Sequence, residues 1–318
     1  MMTNILITSV GQRVALVRIF QETLKRHYPK AKVYTTDLNS RLAPAAYVSD
    51  GCFKVPHCTS KDYIELLLNI CLGNKIGMIV PTIDTELSIL SANKDIFVKQ
   101  GIFVAVSDNN FVMTCRDKRN TGKFFEEHGI RIPKLIDKHH PIFPLFAKPY
   151  DGSQSTNLHY IKNSEGLTEA ILNDPKLLFM EYINKDVYTE YTVDMYYGRD
   201  HKVKCIVPRE RIKIRAGEIN KGLTKKEPLT KYLYDRLETI EGCVGCICIQ
   251  LFLNHKTGDV VGVEINPRFG GGYPQTYAAG GNFPEYLIQE YFHEEEIEYF
   301  EDWKDNLLML RYDDAIYV

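Results

Sequence analysis

The sequence predicts an α/β N-terminal domain built on a parallel, doubly wound sheet, followed by two α+β units. Over the first 110 residues, apolar runs of strand length alternate with helical patterns, and this βαβ alternation is typical of a parallel sheet. From residue 117 to about 190 the strands become short and surround a loop of small residues. The remainder has the pattern of a larger antiparallel unit. We therefore expect domains at residues 1–112, 113–189 and 190–318.

The predicted elements follow one another in chain order. In the first unit we expect helices that reach about His27 and cover 63–71, and strands at 4–9, 32–36, 77–81 and 103–106. In the middle unit a helix begins at Asp117, Ser164 is expected to cap a helix that runs to about residue 173, and strands cover 145–148, 159–162 and 177–183. In the last unit we expect helices at 229–241 and 284–292, and strands at 190–197, 202–207, 244–254, 260–265 and within 307–318.

Composition and charge are those of an ordinary globular protein. The chain has 318 residues, 44% hydrophobic and 25% charged, with a formal net charge of −2, so nothing favours a nucleic-acid partner or an acidic membrane surface. No apolar run approaches the ~20 residues of a membrane span, and the N-terminal segment is too short and polar for a signal peptide. We expect a cytoplasmic protein with eight free cysteines, because the C-x-x-C at Cys243 and Cys246 lacks the second half of a zinc site.

The segment from Val263 to Gly272 carries the strongest functional signal. Glu264, Asn266 and Arg268 alternate along it, and residues two apart in an extended strand face the same way. A carboxylate and an amide oxygen suit a hard cation such as Mg²⁺, and the guanidinium suits a phosphate bridged by that cation. Gln250, on the preceding strand, can add an amide oxygen across the pair. The pattern indicates a magnesium–nucleotide site; its alternative is a strand end with ordinary solvated side chains.

A loop of small residues follows the strand that ends at Lys148. Gly152 lets the backbone approach a phosphate closely, Ser153 and Ser155 add hydroxyl donors, and Lys148 adds a positive charge. The loop is not a P-loop, because G-x-x-x-x-G-K-[ST] is absent from the sequence. These residues predict a phosphate-binding loop, with a flexible hairpin loop as the alternative.

The next strand ends at Glu181, Tyr182 and Ile183 and leads toward the last unit, as a hinge would. Backbone groups of such a hinge can pair with an adenine edge. The Glu190 carboxylate can accept hydrogen bonds from ribose hydroxyls, because an ionised carboxylate is a pure acceptor. The alternative is a pair of exposed glutamates at strand ends.

Four basic residues alternate with other residues farther along the chain, at Arg209, Arg211, Lys213 and Arg215. On one strand they would share a face, where their mutual repulsion calls for an anion such as a triphosphate or a carboxylate substrate. The alternative is a charged, solvated edge strand.

A dinucleotide site on the N-terminal sheet is a competing interpretation. It requires G-x-G-x-x-G after the first strand, but the sequence has a single glycine there, Gly11. Asp37, after the second strand, resembles a ribose-binding acid. The missing glycines argue against this interpretation.

Taken together and in this order, Lys118, the Lys148 loop, the hinge, Gln250 and Glu264-x-Asn266-x-Arg268 resemble the ATP-grasp superfamily over nearly the whole chain. The metal-binding set looks most like the branch of the carbamoyl-phosphate synthase large subunit, and the length resembles that of its stand-alone, single-module relatives. The resemblance implies a pre-ATP-grasp N-terminal domain, a small central lid and a larger C-terminal domain, with ATP between the last two.

The resemblance also implies roles for the candidate residues. ATP contacts are expected from Lys118, Lys148, Gly152, Ser153, Ser155, Glu181, Tyr182, Ile183 and Glu190. One or two Mg²⁺ ions, for which Mn²⁺ could substitute, are expected on Gln250, Glu264 and Asn266. Catalytic contacts are expected from Arg268, Arg211 and Arg215, and it stays open which basic residue of 209–215 meets the γ-phosphate. The substrate candidates are Arg13, Arg209, Arg215 and Gly271, together with Asp84 and Glu86 from strand ends of the first domain.

The activity that the resemblance implies is an ATP-dependent ligase. Such an enzyme activates a small carboxylate as an acyl phosphate, joins it to an amine and releases ADP and phosphate. Relatives join amino acids, or an amino acid to another small acid, so these are the first candidates for the substrates, and a homodimer stays open. The alternative function is an ATP-binding regulatory or sensing module without ligase activity.

Overall fold

The computed structural model describes residues 2–152, 156–215 and 217–318, and the strands within them form three sheets. A parallel sheet occupies the N-terminal part, a small antiparallel sheet the middle, and a larger antiparallel sheet the C-terminal part. The predicted fold class is confirmed. Within the described residues, no helix combines the length and the apolarity that crossing a bilayer requires.

The N-terminal sheet positions two loops that matter for the site. Its strands are β1 (Asn4–Thr8), β2 (Val33–Asp37), β3 (Cys52–Lys54), β4 (Ile76–Pro81) and β5 (Phe103–Val104), in the order β3-β2-β1-β4-β5. Its helices are α1 (Val14–His27), α2 (Pro44–Val48), α3 (Tyr63–Gly73), α4 (Asp84–Ala92), α5 (Lys94–Val98) and α6 (Asn109–Arg116). The strand order reverses between β1 and β4, so the loops after these two strands meet where such sheets bind ligands.

The middle unit is a three-stranded sheet preceded by α7 (Lys118–Glu127). β6 (Leu145–Pro149) lies between β7 (His159–Ile161) and β8 (Leu177–Glu181), with α8 (Glu169–Asn173) between β7 and β8 in the chain. The predicted cap at Ser164 is wrong, because Ser164–Gly166 forms a separate 3₁₀ turn. Thr168 caps α8 instead, and its hydroxyl accepts a hydrogen bond from the Ile171 N–H at 3.4 Å.

The C-terminal unit is an antiparallel sheet covered by helices α9 (Leu229–Leu237), α10 (Tyr273–Ala279) and α11 (Phe283–Phe292). Its strands are β9 (Thr189–Tyr197), β10 (Val203–Arg215), β11 (Glu218–Thr224), β12 (Gly245–Leu253), β13 (Val260–Asn266) and β14 (Leu308–Leu310), in the order β13-β12-β9-β10-β11-β14. The sequence did not predict β11, because its Asn, Lys and Gly residues have low strand propensity. β10 extends beyond its predicted end because β11 pairs with it, and β14 is shorter than predicted.

Two close packing contacts fix the units relative to one another. Phe20 of α1 meets Phe269, just after β13, with ring centroids 5.5 Å apart in an edge-on arrangement. Phe125 of α7 packs over Gly262 of β13, where an added Cβ would lie 2.7 Å from the ring. The N-terminal domain and α7 are therefore both packed against β13 or the residues that follow it.

Candidate functional site

The end of β13 presents a row of three alternating polar residues. Asn266 donates from Nδ2 to Glu264 Oε1 at 3.2 Å, and Arg268 donates from Nη2 to Asn266 Oδ1 at 3.4 Å. Ile265, between them, is buried in the core at 2% exposure. We call Glu264, Asn266 and Arg268 the β13 row. Its carboxylate, amide and guanidinium groups lie on one face, as the strand period of two requires.

Gln250 of β12 lies directly opposite Glu264 in the ladder with β13. Its Nε2 donates to Glu190 Oε1 at 2.6 Å. Because an ionised carboxylate only accepts hydrogen bonds, the amide nitrogen must face Glu190. The Gln250 carbonyl oxygen accepts no hydrogen bond from any described residue, so it is left for another ligand.

Two lysines approach the β13 row from the middle unit. Lys118, the first residue of α7, has its Nζ 3.9 Å from Glu264 Oε2, and its backbone N–H donates to Tyr150 O at 2.8 Å. Lys148 of β6 donates from Nζ to Val263 O at 3.4 Å. The structure thus brings both predicted phosphate-binding lysines to the end of β13.

The Lys148 ammonium occupies an enclosed position with 7% of the residue exposed. This burial lowers the pKa of Lys148 to about 8; the Glu264 carboxylate opposes the shift and the Lys118 ammonium adds to it. The Lys118 ammonium lies near the poorly hydrated Lys148 ammonium, and the repulsion between them is unfavourable unless an anion lies close to both. The electrostatics therefore favour an anionic ligand between the two lysines.

Glu190, the predicted ribose acceptor, is 8% exposed and is held by three donors. Lys185 Nζ donates to Oε2 at 2.9 Å, while Arg211 Nη1 and Gln250 Nε2 donate to Oε1 at 2.5 and 2.6 Å. Arg211 therefore reaches the site through Glu190. Since a carboxylate offers about four acceptor positions, one is left for a hydroxyl, and the ribose contact stays a prediction.

β8 ends at Glu181, so Tyr182 and Ile183 lie beyond the sheet. The Glu181 carboxylate accepts a hydrogen bond from Arg131, and the Tyr182 ring lies 4.5 Å from the Tyr160 ring, measured between centroids. Within the described part of the chain, the backbone N–H and C=O groups of Tyr182 and Ile183 make no hydrogen bond. Free backbone groups beside an aromatic ring suit a flat ligand with polar edges, and the adenine contact stays a prediction.

The basic residues of β10 do not share one face as expected. Arg209 is fully buried and donates to Asp194 from Nε at 3.0 Å and from Nη2 at 2.9 Å. Arg215 pairs with Asp313 at the exposed end of the strand, and register shifts around Lys213 interrupt the alternation. The expected anions between the cations are thus protein carboxylates. This geometry gives no support to a substrate contact by Arg209. It gives none to a catalytic or substrate contact by Arg215 either, because Arg215 pairs with Asp313 at an exposed position.

The N-terminal domain contributes Asp84 and Arg13 to the same cleft. Asp84, in the first turn of α4, accepts hydrogen bonds from Arg268 Nε at 3.0 Å and Nη2 at 2.9 Å. Arg13, in the loop after β1, donates from Nη2 to Thr82 O at 3.5 Å. Its Nη1 is buried and has no hydrogen-bond partner among the described residues.

Two other carboxyl groups of the first domain are engaged internally. Asp37 accepts hydrogen bonds from the Gly11 N–H at 2.9 Å and from the Asn39 N–H at 2.8 Å, so it braces the loop that a dinucleotide would have to approach. Glu86 is fully buried and accepts a hydrogen bond from Thr8 Oγ1 at 2.7 Å. This geometry favours neither the dinucleotide interpretation nor a substrate contact by Glu86.

The two predicted ligand loops differ in how much of them the structure describes. Gly152 O accepts a hydrogen bond from Lys118 Nζ at 2.5 Å, which joins the Lys148 loop to α7. The predicted phosphate contacts of Ser153 and Ser155 lie outside the described residues. In the loop after β13, a Cβ added to Gly271 would lie 2.2 Å from Glu218 Oε1, so the Glu218 carboxylate packs directly on this glycine.

Glu218, at the start of β11, is a site residue that the sequence did not single out. Its Oε2 accepts a hydrogen bond from Arg311 Nη1 at 2.8 Å, and its side chain lies over the loop after β13. Burial alone would raise the pKa of Glu218, but the Arg311 hydrogen bond and the charges of Arg13, Arg311 and Arg268 hold it below its ordinary value. Glu218 could have been found only from the pairing of β10 with β11, which places it opposite Arg215. No local pattern in the sequence predicts that pairing.

The oxygen donors of β12 and β13 fit a hard divalent cation bound together with phosphate. Glu264 supplies a carboxylate, and Gln250 and Asn266 supply amide oxygens, which are ligand types that Mg²⁺ accepts. Among the described residues, no group of three or more His, Cys, Asp and Glu side chains is placed so that it could hold a metal ion by itself. One carboxylate would leave most of the coordination to phosphate oxygens and water. The donor set therefore suits a metal–nucleotide complex.

Two models of known protein families match this sequence, one in its N-terminal part and one in its C-terminal part. The sequence model described as "PylC-like, N-terminal domain" matches residues 5–105. The model described as "ATP-grasp in the biosynthetic pathway with Ter operon" matches residues 173–314. A search of curated proteins found no match.

Solved structures with the same fold cover nearly all of the chain. The biotin carboxylase domain of Hydrogenobacter thermophilus 2-oxoglutarate carboxylase, in complex with MgADP, ADP and bicarbonate, is 13% identical, with 96% of this chain and 73% of that one covered and a TM-score of 0.72. N5-carboxyaminoimidazole synthetase from Staphylococcus aureus, complexed with ADP, is 15% identical, with 90% and 76% covered and a TM-score of 0.67. The L-amino acid ligase from Bacillus licheniformis is 16% identical, with 90% and 73% covered and a TM-score of 0.66. At these identities the likeness concerns the fold.

Proposed function

We propose that this chain, whose residues 173–314 match an ATP-grasp family model, is an ATP-dependent carboxylate–amine ligase. The observation that carries the proposal is the convergence of two lysines, one carboxylate, two amide oxygens and one guanidinium at the end of β13. Phosphoryl transfer depends on positioning and on charge neutralisation, and these groups supply both.

In the proposed complex, ATP lies between the middle and C-terminal units. The backbone of Tyr182 and Ile183 takes the adenine, Glu190 takes the ribose, and Lys118 and Lys148 take the phosphates. Gln250, Glu264 and Asn266 would hold Mg²⁺, which neutralises phosphate charge when it is bound. The support for this assignment comes from the free backbone groups at the hinge and from the enclosed Lys148 ammonium.

The proposed reaction has two steps. An oxygen of the substrate carboxylate attacks the γ-phosphorus, the bond to the β,γ-bridging oxygen breaks, and ADP leaves. A neutral amine then attacks the acyl phosphate carbonyl, phosphate departs with the bonding pair, and the amine proton is lost to phosphate or solvent. Arg268 orients the transferred group, since a guanidinium fits planar oxyanions in bidentate fashion. The middle unit must exclude water, because water would hydrolyse the acyl phosphate.

The substrates in this proposal are a small-molecule carboxylate and an amine. The known proteins that share the fold act on different partners, with bicarbonate bound to one and L-amino acids named for another. We propose amino acids as the first candidates for both the carboxylate and the amine substrate. We also infer a cytoplasmic location, which the eight free cysteines support because a reducing compartment keeps thiols unpaired.

The test is a screen of amino-acid pairs for ADP release with MgATP, followed by mass detection of the amide. We expect ADP release that needs both partners. The Glu264→Ala protein serves as the control that binds no productive metal–nucleotide complex. ATP binding without ADP release for any pair would favour the sensing module and contradict the ligase.

A further inference from the structure

A fully buried carboxyl group lies behind the first turn of α4. It belongs to Glu86, the third residue of this helix, and its two oxygens bond to hydroxyl groups from two other elements. Thr8 Oγ1, at the end of β1, donates to Glu86 Oε2 at 2.7 Å. The hydroxyl of Tyr63, the first residue of α3, donates to Oε1, and Tyr63 is itself buried. The Glu86 carboxyl group therefore joins α4 to both β1 and α3.

The chain just before α4 is fixed to the same end of β1. Thr82 is fully buried, and its Oγ1 lies 3.0 Å from Thr8 O and 2.8 Å from Ser9 O. The N-cap residue of α4, Ile83, has no polar side chain with which to hold the first turn. Asp84 lies between the two anchors, two residues after Thr82 and two before the buried carboxyl group. The direction in which its side chain leaves the helix therefore depends on these anchors.

Asp84 uses both carboxylate oxygens to accept hydrogen bonds from Arg268 of the β13 row, at 3.0 Å from Nε and 2.9 Å from Nη2. Two parallel bonds of this kind require the carboxylate at a defined position and angle. A displacement of about 1 Å would break at least one of them. Because Arg268 is the guanidinium proposed to orient the transferred phosphoryl group, the placement of Asp84 bears on the reaction.

An apolar residue could hold α4 in place at a lower cost than Glu86. Taking a carboxyl group out of water costs free energy, which two hydrogen bonds recover only in part, and this burial raises the pKa of Glu86. Hydrogen bonds, however, fix both a distance and an angle, whereas apolar packing is non-directional. The two hydroxyl contacts therefore give α4 a defined orientation, which hydrophobic contacts alone would specify less closely.

We propose that Glu86 is a positioning residue: bound by Thr8 and Tyr63, it sets the direction of Asp84, which in turn orients Arg268. The kinetic part of this inference rests on the proposed function, and its structural part concerns only the pair of Asp84 and Arg268. Glu86 itself touches no ligand in this proposal and transfers no proton.

Tyr63→Phe tests the inference, because it removes one hydroxyl group from Glu86 and leaves the aromatic ring. With MgATP and the amino-acid pair that gives ADP release, we expect kcat to fall about 3- to 10-fold, the factor that one ordinary hydrogen bond represents. KM for MgATP should change little. Tyr196→Phe is the matched control, since Tyr196 is fully buried and donates to the buried Glu290 at 2.6 Å. It should lose similar stability but keep kcat.

A second comparison shows whether the effect passes through Asp84. In Asp84→Asn the pair with Arg268 is already weakened, so adding Tyr63→Phe should lower kcat by no more than about 2-fold further. The loss in free energy of unfolding caused by Tyr63→Phe should be the same with and without Asp84→Asn. Equal reductions of kcat in the two backgrounds would overturn the route through Asp84.

Glu86→Gln separates position from charge. Glutamine has the same shape as glutamate, and it can accept from one hydroxyl group and donate to the other, because a hydroxyl does both. We expect this variant to keep most of the kcat of the unmodified protein. Loss of activity in Glu86→Gln, with full activity in Tyr63→Phe, would show that the carboxylate acts directly and would overturn the positioning role.

The pairing of Asp84 with Arg268 can also be measured without turnover. Urea unfolding of Asp84→Asn, Arg268→Gln and the double variant gives the coupling free energy between the two residues. We expect Tyr63→Phe to reduce this coupling and Tyr196→Phe to leave it unchanged. Unchanged coupling in Tyr63→Phe would overturn the positioning role and leave the ligase intact. Absence of ADP release from every pair, with the coupling reduced as expected, would overturn the ligase and support the placement of Asp84 by Glu86.

Discussion

Asp84 of the N-terminal domain accepts two hydrogen bonds from Arg268 of the C-terminal domain, at 3.0 Å from Nε and 2.9 Å from Nη2. The pair is mostly enclosed, with side-chain exposures of 20% and 16%. It fixes the outer end of the β13 row, because Arg268 Nη2 also reaches Asn266 Oδ1. The first domain, which makes no predicted contact with the nucleotide, therefore orients a residue of the proposed reaction centre.

Asp84→Asn should lower kcat for ADP release by about 10- to 100-fold, because it replaces a charged hydrogen-bond pair with a weaker one. KM for MgATP should change little, since Lys118 and Lys148 stay in place. Steady-state kinetics with coupled ADP detection measure both constants. Asp108→Asn, at the more exposed pair with Lys94, is the matched control. Unchanged kcat in Asp84→Asn would argue that Arg268 needs no positioning.

Glu264→Ala should abolish ATP turnover without unfolding the protein. Glu264 is the carboxylate of the β13 row, and it is only partly buried, so its removal leaves no large cavity. ADP release and thermal melting by circular dichroism report the two effects. Glu241→Ala, whose side chain is 95% exposed, should retain full activity. Normal ADP release from folded Glu264→Ala would count against the whole assignment of the metal site.

ATP affinity should fall as the pH rises above about 8, the pKa to which burial lowers Lys148. Below this pH the free protein carries the Lys148 charge; above it the amine is neutral. A bound phosphate favours the ammonium and raises its pKa, so binding at higher pH takes up a proton and becomes weaker. Calorimetric titrations with a non-hydrolysable ATP analogue, in buffers of different protonation enthalpy, measure the uptake.

Lys148→Arg is the control for this pH dependence, because a guanidinium stays protonated throughout the range. Its ATP affinity should be nearly constant across the pH interval in which the unmodified protein weakens. The same proton uptake in both proteins would assign the titration to a different group.

Arg209→Met should destabilise the protein strongly, by about 3–5 kcal/mol, because it leaves the fully buried Asp194 without its ionic partner. The urea midpoint measures this loss. Arg215→Met, on the same strand but at an exposed pair, should leave the midpoint unchanged. If the two variants were equally stable while Arg209→Met lost activity alone, Arg209 would have a functional role that its geometry does not indicate.

Local periodicity accounts for what could be predicted about the site. Glu264, Asn266 and Arg268 lie on one face because a strand repeats every two residues, and this holds wherever the strand is placed. The order of strands and helices in the first domain follows from the same kind of pattern. The same reasoning wrongly predicted that the basic residues of β10 share one face, because register shifts and burial separate Arg209 from Arg215.

The sequence by itself determined the fold class, the alternation of the β13 row and the expected ligand types, since each depends on residues close together in the chain. Only the tertiary structure decided which charges are free. Two domains place side chains near the loop after β13, namely Arg13, Asp84 and Glu218. Arg209 is not available to a ligand, because it is buried and bound to Asp194. The physical reason is that pairing between charges depends on distance in space, which strand pairing and domain packing set and which no local pattern of residues records.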